Sequence, residues 1–144
     1  MKHWTRIAFL LAFVPIVASA QFKDLDAAMS NLTRGFGSGD TQAVLSGIGS
    51  TDKVMLEFPG IMDETGFFGR DQAAYLLDGL FSKVKPSGFE QQNARKVSAE
   101  GQYHLTAMWT IDNNGKSEAR ELYITMRKNA GDRYSIVSVR SAGK

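Results

Sequence analysis

Few side chains in this sequence could do acid–base chemistry, and none has the expected setting for it. Moving a proton next to a carbonyl or a hydroxyl requires a carboxylate or an imidazole that faces a cavity, with burial adjusting its pKa and a donor nearby. His104 is the one histidine after residue 20. It alternates with Tyr103 and Leu105 in an extended pattern, so we predict that it lies on the outer surface of a sheet.

The acidic side chains are placed no better for proton transfer. Glu57 alternates with apolar neighbours and is expected to face outward, and Asp78 falls opposite the apolar stripe of a predicted helix. Asp63 and Glu64 lie in a predicted loop. Because no acid is in phase with the apolar face of its element, we predict no catalytic residue.

We also predict no metal site and no cofactor. The chain has 0 cysteines and 2 histidines, one of which precedes residue 20. Thiolates and imidazoles are the usual ligands of structural zinc. The run Gly35-x-Gly37-x-Gly39 follows a helix and has no Lys-Ser or Lys-Thr after it, so it predicts a turn and not a phosphate loop.

Aromatic residues are the strongest remaining candidates for a binding role. They could simply fill the core, or they could leave part of it open as an apolar pocket with a few polar groups, the usual form of a small-ligand site. The pocket interpretation gives the following ligand-binding residues: Phe67, Phe81, Phe89, Tyr103 and Trp109.

The N-terminus has the pattern of a secretory signal peptide over residues 1–20. Lys2 and Arg6 precede an apolar run at residues 7–17, and Ala18-Ser19-Ala20 forms a small-residue cleavage site. The apolar run is too short to span a bilayer, which takes about 20 residues. We therefore expect a periplasmic or secreted protein without a membrane span.

The net charge of the chain after residue 20 bears on whether nucleic acid could be a partner. Two of the 17 Lys and Arg, but none of the 15 Asp and Glu, lie in the predicted leader, so the remaining chain is formally neutral. It has no basic stripe for phosphate contacts, which argues against nucleic acid as a partner. Without repeats or long linkers, residues 21–144 are expected to form one domain.

Apolar periodicity predicts helices in the first part of the domain. Spacings of three and four from Phe22 to Phe36 indicate a helix that ends at the glycine run of residues 35–39. Asp40 or Thr41 is expected to cap a short second helix. A strand is predicted at residues 54–58, and a further helix at residues 70–84 that Pro86 and Gly88 would finish.

The last third predicts a meander of antiparallel strands. Extended patterns occur at residues 89–97, 103–111, 118–128 and 134–140. Asn113-Asn114-Gly115 is a strong hairpin turn, because Asn-Gly tolerates the positive φ angles of a type I′ turn. Helices followed by a meander predict an α+β fold in which helices cover one face of a curved sheet.

This arrangement resembles the nuclear transport factor two-like superfamily, the cone-shaped α+β roll shared with ketosteroid isomerases and scytalone dehydratases. The carrying features are the N-terminal helix leading to Gly39-Asp40, a short strand, a helix entered through residues 66–73, and the meander. Residues 69–89 and 134–139 also resemble a family of small exported proteins of unknown function from Bacteroidota. The resemblance implies the cone-shaped roll and places Asp63 and Glu64 near its mouth.

Three functions remain open. The first is an exported, non-catalytic binding module for a small apolar ligand or a protein partner. The alternative is a cofactor-free lyase or isomerase with an acid at the cone mouth. The third is a self-associating module whose sheet face forms a homodimer, through an outer surface that carries His104, Thr106, Met108, Tyr123 and Thr125.

Overall fold

The computed structural model describes residues 17–97, 101–128 and 133–143. Three helices and six strands make up this part of the chain: α1 (Val17–Ser38), α2 (Thr41–Leu45), β1 (Lys53–Glu57), β2 (Gly66–Gly69), α3 (Arg70–Lys83), β3 (Val84–Lys96), β4 (Gln102–Asn113), β5 (Lys116–Lys128) and β6 (Tyr134–Ser141). The class is α+β, as predicted. No helix among the described residues is long and apolar enough to cross a membrane.

One curved, unclosed sheet contains all six strands in the order β2-β1-β6-β5-β4-β3. The strands from β3 to β6 are consecutive and antiparallel, which confirms the meander. The first two strands form an antiparallel pair, and β1 joins the meander through a parallel pairing with β6. The sequence prediction missed β2, which is a short edge strand of four residues.

The first helix does not end at the glycine run. It continues through Gly35 and Gly37 to Ser38, and the chain turns at Gly39, whose φ is +74°. A Cβ on Gly35 would lie 2.3 Å from Val44 Cγ2, so this glycine lets α2 approach α1 closely. Asp40 caps α2 as predicted, since its side chain accepts a hydrogen bond from the backbone N–H of Ala43 at 3.2 Å.

Pro86 and Gly88 lie inside β3, not between a helix and a strand. Since β3 begins at Val84, directly after α3, these residues do not finish the helix. The pairing with β4 shifts register between Pro86 and Gly88. Proline is tolerated here because β3 is an edge strand and needs no N–H on its open side. The hairpin after β4 is as predicted, with Asn114 at φ 56° and Gly115 at φ 81°.

The helices cover one face of the sheet, and the core lies between these two layers. Alternate residues of β4, from Leu105 to Ile111, point into it, as do those of β5 from Leu122 to Met126. The helices contribute Leu32, Phe36 and Leu77. The opposite face of the sheet, called the outer face below, carries the side chains that alternate with the core residues, and none of the three described helices covers it.

Candidate functional site

The middle of the roll is filled by packed rings. Trp109 and Phe36 are both 0% exposed, so no space large enough for a water molecule adjoins either side chain. Their centroids lie 5.8 Å apart in an edge-to-face arrangement, and Phe58 also contacts the indole at 5.8 Å. The indole Nε1 donates a hydrogen bond of 2.8 Å to the carbonyl oxygen of Phe36. The interior around these three rings is therefore part of the packed core.

The five aromatic residues predicted to bind a ligand lie in three places. Phe81, Phe89 and Trp109 surround Phe36, with ring centroids 5.6, 6.3 and 5.8 Å from it. Tyr103 packs edge-on against Tyr134 at 5.4 Å. Phe67 is on the outer face of β2 and is 65% exposed. The structure brings three of the five together, Phe81 and Trp109 in the core and Phe89 partly buried against it, and the role of all five in binding stays a prediction.

A groove with a volume of about 440 Å³ lies outside this core, between α3 and the loop that joins β1 to β2. It is lined by Ile61, Met62, Asp63, Glu64, Tyr75, Leu76, Asp78, Gly79, Leu80, Ser82 and Lys83. Apolar groups form much of its surface, and Tyr75 is 78% exposed beside it. A volume of this size is within the range of small-ligand sites.

Acidic side chains surround the groove. Asp63 and Glu64 are exposed and lie in the loop, as predicted. Asp78 is exposed too, and its Oδ1 accepts a hydrogen bond of 2.5 Å from Thr41. Among the described residues that line the groove, Lys83 is the one cation. Its Nζ donates a hydrogen bond of 2.8 Å to the carbonyl oxygen of Ile61, which holds the loop against α3.

Gly79 occupies an exposed position in the middle of α3, where glycine is unfavourable by about 1 kcal/mol relative to alanine. A Cβ at this position would meet no atom within 4 Å. Packing therefore does not require glycine here. Because Gly79 lines the groove, its missing side chain leaves space there.

An ion pair that the sequence pattern did not predict lies on the inner face of the sheet. Arg120 is 8% exposed, and its guanidinium contacts Glu118 at 3.3 Å and donates to the carbonyl oxygen of Pro59 at 2.7 Å. The prediction that no acid is in phase with an apolar face was therefore wrong for Glu118. Counting alternate positions back from Leu122 would have found both residues.

The outer face carries His104, which is exposed as predicted. A second cavity of about 420 Å³ opens on this face, lined by Asn93, Arg95, His104, Leu105, Thr106, Tyr123, Ile124, Thr125, Ser138 and Arg140. Among the residues that the structure describes, no three His, Cys, Asp or Glu side chains are grouped so that they could hold a metal ion.

Known structures share this fold. A DUF4783 family protein from Bacteroides fragilis is 21% identical over 79% of this chain and 95% of its own, with a TM-score of 0.62. A second, from Bacteroides ovatus, is 21% identical over 80% and 93%, with a TM-score of 0.63. A ketosteroid isomerase-like protein from Erwinia carotovora is 18% identical over 92% and 98%, with a TM-score of 0.57.

No curated protein matches the chain. The family described as "Domain of unknown function (DUF4783)" matches residues 29–141, which is most of the sequence. Its solved members and the ketosteroid isomerase-like protein have the same roll as this chain. The chain therefore belongs to the DUF4783 family and has the nuclear transport factor two-like fold.

Proposed function

We propose that this protein is an exported, non-catalytic binding module that holds its ligand in the groove between α3 and the β1–β2 loop. The observation that carries the proposal is the packed interior. With Phe36 and Trp109 both 0% exposed, a ligand cannot enter between the helices and the sheet without displacing core rings. Binding in the groove between α3 and the β1–β2 loop, called the α3 groove below, requires no such displacement.

The lining of the groove favours a ligand with an apolar body and a positive charge. Met62, Leu76 and Leu80 offer apolar contact, and Asp63 and Glu64 lie at the exposed rim. Burying apolar surface contributes about 25 cal/mol per Å². Carboxylates near the rim favour an amine over a neutral or anionic group of the same shape.

Export is proposed from the N-terminal pattern. The apolar run at residues 7–17 and the small residues before Gln21 are typical of a cleaved leader. The protein would then act in the periplasm or outside the cell. The absence of cysteine is compatible with either compartment.

Titration with a homologous set of alkyl probes tests the proposed groove. An alkyl amine, an alkyl alcohol and an alkyl sulfonate of equal chain length should bind in that order of decreasing affinity. Gly79→Leu fills the groove and should lower amine affinity by roughly tenfold or more, which corresponds to about 1.4 kcal/mol. Gln72→Leu, at an exposed position of α3 outside the groove, is the matched control and should bind like the wild type.

If Gly79→Leu and the wild type bind the amine with equal affinity, the amine does not bind in this groove. Native mass spectrometry of protein purified from its own cells gives an independent measurement. A retained small molecule supports a binding module, and Gly79→Leu should lose it.

A cofactor-free lyase or isomerase remains the second candidate, because Asp63 and Glu64 share the groove with the ammonium group of Lys83. An acid and a cation in one cavity could move a proton and stabilise a developing oxyanion. Both carboxylates are exposed, which is a poor setting for such chemistry. Turnover of a ketosteroid-like or hydroxy-acid substrate that is lost in Asp63→Asn or Glu64→Gln would favour this candidate over the binding module.

A further inference from the structure

The cavity on the outer face crosses four neighbouring strands, and the strand register determines which side chains line it. One row runs through Arg95, His104, Thr125 and Ser138 on β3, β4, β5 and β6. The adjacent row runs through Asn93, Thr106, Tyr123 and Arg140 on the same strands. All eight residues line the cavity. We call this two-row surface the outer groove.

The lining of the outer groove consists of hydrogen-bond donors and hydroxyl groups. Two guanidinium groups, an imidazole, an amide and four hydroxyls face it, and none of the described residues that line it carries a carboxylate. Arg95 has no ion pair within the part of the chain that the structure describes. This lining contrasts with the acidic rim of the α3 groove.

Two carboxylates lie beside the outer groove, and each is held by a residue of the lining. Glu57 accepts a hydrogen bond of 2.7 Å from the Nε of Arg140, which orients the guanidinium and leaves its two terminal amino groups as donors. Glu121 accepts a hydrogen bond of 3.0 Å from the Tyr123 hydroxyl. That hydrogen bond is the main cause of the raised pKa of Tyr123.

We propose that the outer groove binds an elongated small molecule with an anionic oxygen group near each end. Arg95 lies on β3 and Arg140 on β6, so three strand spacings of about 4.8 Å separate the two strands. Each guanidinium can hold a carboxylate or a phosphate through two parallel hydrogen bonds. The hydroxyls of Thr106 and Thr125 lie between the arginines and can bind polar groups of the ligand's middle part. This site is separate from the α3 groove and does not depend on it.

Both carboxylates and phosphates could supply the anionic oxygens that the two arginines bind. Comparing the affinities of dicarboxylates and bisphosphates shows which class of ligand the site prefers. Calorimetry at about 0.15 M salt, where long-range attraction is screened, should be carried out with α,ω-dicarboxylates of increasing chain length. Monocarboxylates of the same lengths and the corresponding bisphosphates complete the set. We expect an optimum length at which the double anion binds at least roughly tenfold tighter than the single anion.

Arginine variants test whether both ends are held. Arg95→Gln and Arg140→Gln should each reduce the affinity of the best double anion to that of the single anion. Arg127→Gln is the matched control. Arg127 is also an exposed arginine on the outer face of the sheet, on β5, but it does not line the outer groove. Equal affinity for single and double anions, or an equal loss in Arg127→Gln, would overturn the proposal.

A second copy of the chain is the competing occupant of this face, and sedimentation distinguishes it. Met108→Lys places a charge beside the outer groove, where the cross-strand neighbours Glu90 and Glu121 would accommodate it in a monomer. A lysine buried at a dimer centre would be expensive. A wild-type dimer that Met108→Lys dissociates would overturn the proposal, whereas a wild-type monomer that binds the double anion supports it.

Discussion

The indole of Trp109 closes the end of α1 by donating a hydrogen bond to the carbonyl oxygen of Phe36 at 2.8 Å. Phe36 lies in the last turn of α1, where the final carbonyl groups have no partner within the helix. The two residues are 73 positions apart in the sequence. One side chain of the central sheet therefore both fills the core and satisfies a buried backbone group of the helix that covers it.

Shortening the core aromatics should destabilise the fold strongly. Trp109→Ala and Phe81→Ala should each lower the free energy of unfolding by about 3 to 5 kcal/mol, the usual cost of removing a buried aromatic side chain. His104→Ala is the control and should cost little, because His104 is exposed on the outer face. Chemical denaturation measures all three, and a larger loss for His104→Ala than for Trp109→Ala would contradict the assigned faces.

Two glycine-to-alanine substitutions within helices should have opposite effects. Gly79→Ala should stabilise the protein by up to about 1 kcal/mol, since alanine favours the helix and its Cβ meets nothing within 4 Å. Gly35→Ala gains the same propensity but places a Cβ 2.3 Å from Val44 Cγ2, and overpacking costs about 1 to 3 kcal/mol. Thermal melts of the pair provide the test. A stabilised Gly35→Ala would mean that α1 and α2 separate easily.

Removing the buried cation at position 120 should also destabilise the protein. Arg120→Met leaves Glu118 and the carbonyl oxygen of Pro59 without this donor, and losing one partner of a buried pair costs up to about 3 to 5 kcal/mol. Some solvent reaches Glu118, so the lower end of that range is expected. In a double variant, Glu118→Gln should recover part of the loss. Additive losses measured by denaturation would show that the two side chains do not interact.

Processing after Ala20 is the expected fate of the precursor. The intact mass of protein recovered from outside the cytoplasm should correspond to a chain that begins at Gln21. Ala18→Leu and Ala20→Leu should prevent cleavage, because the site requires small residues. If the exported wild-type protein still carries residues 1–20, the predicted signal peptide is wrong.

Local chemistry made several elements predictable from the sequence. Asp40 caps its helix wherever the helix packs, because the capped N–H belongs to a residue only three positions later. The turn at Asn114-Gly115 follows from the φ angles that these two residues accept. Alternation along β4 and β5 separated core from surface, since the side chains of a strand alternate between two faces. The α+β class follows from these elements together.

Long-range packing decided what the sequence pattern could not. The glycine run was predicted to end α1, but Gly35 serves a contact with α2, and only the approach of the second helix reveals this. Pro86 and Gly88 were predicted to finish α3, whereas the edge position of β3 accommodates them within a strand. Both glycine and proline have more than one structural use, and the neighbouring element determines which one applies.

The candidate sites, like the fold, were predictable from the sequence only where local patterns decide the outcome. The sequence indicated few catalytic groups and many aromatic residues, but not that Phe81 and Trp109 would both pack edge-on against Phe36. Nor could it place Arg95 and Arg140 at opposite ends of one groove, because they belong to strands whose adjacency depends on the sheet order. Composition and alternation determined which side chains face outward, and the tertiary pairing of the strands decided which of them lie together.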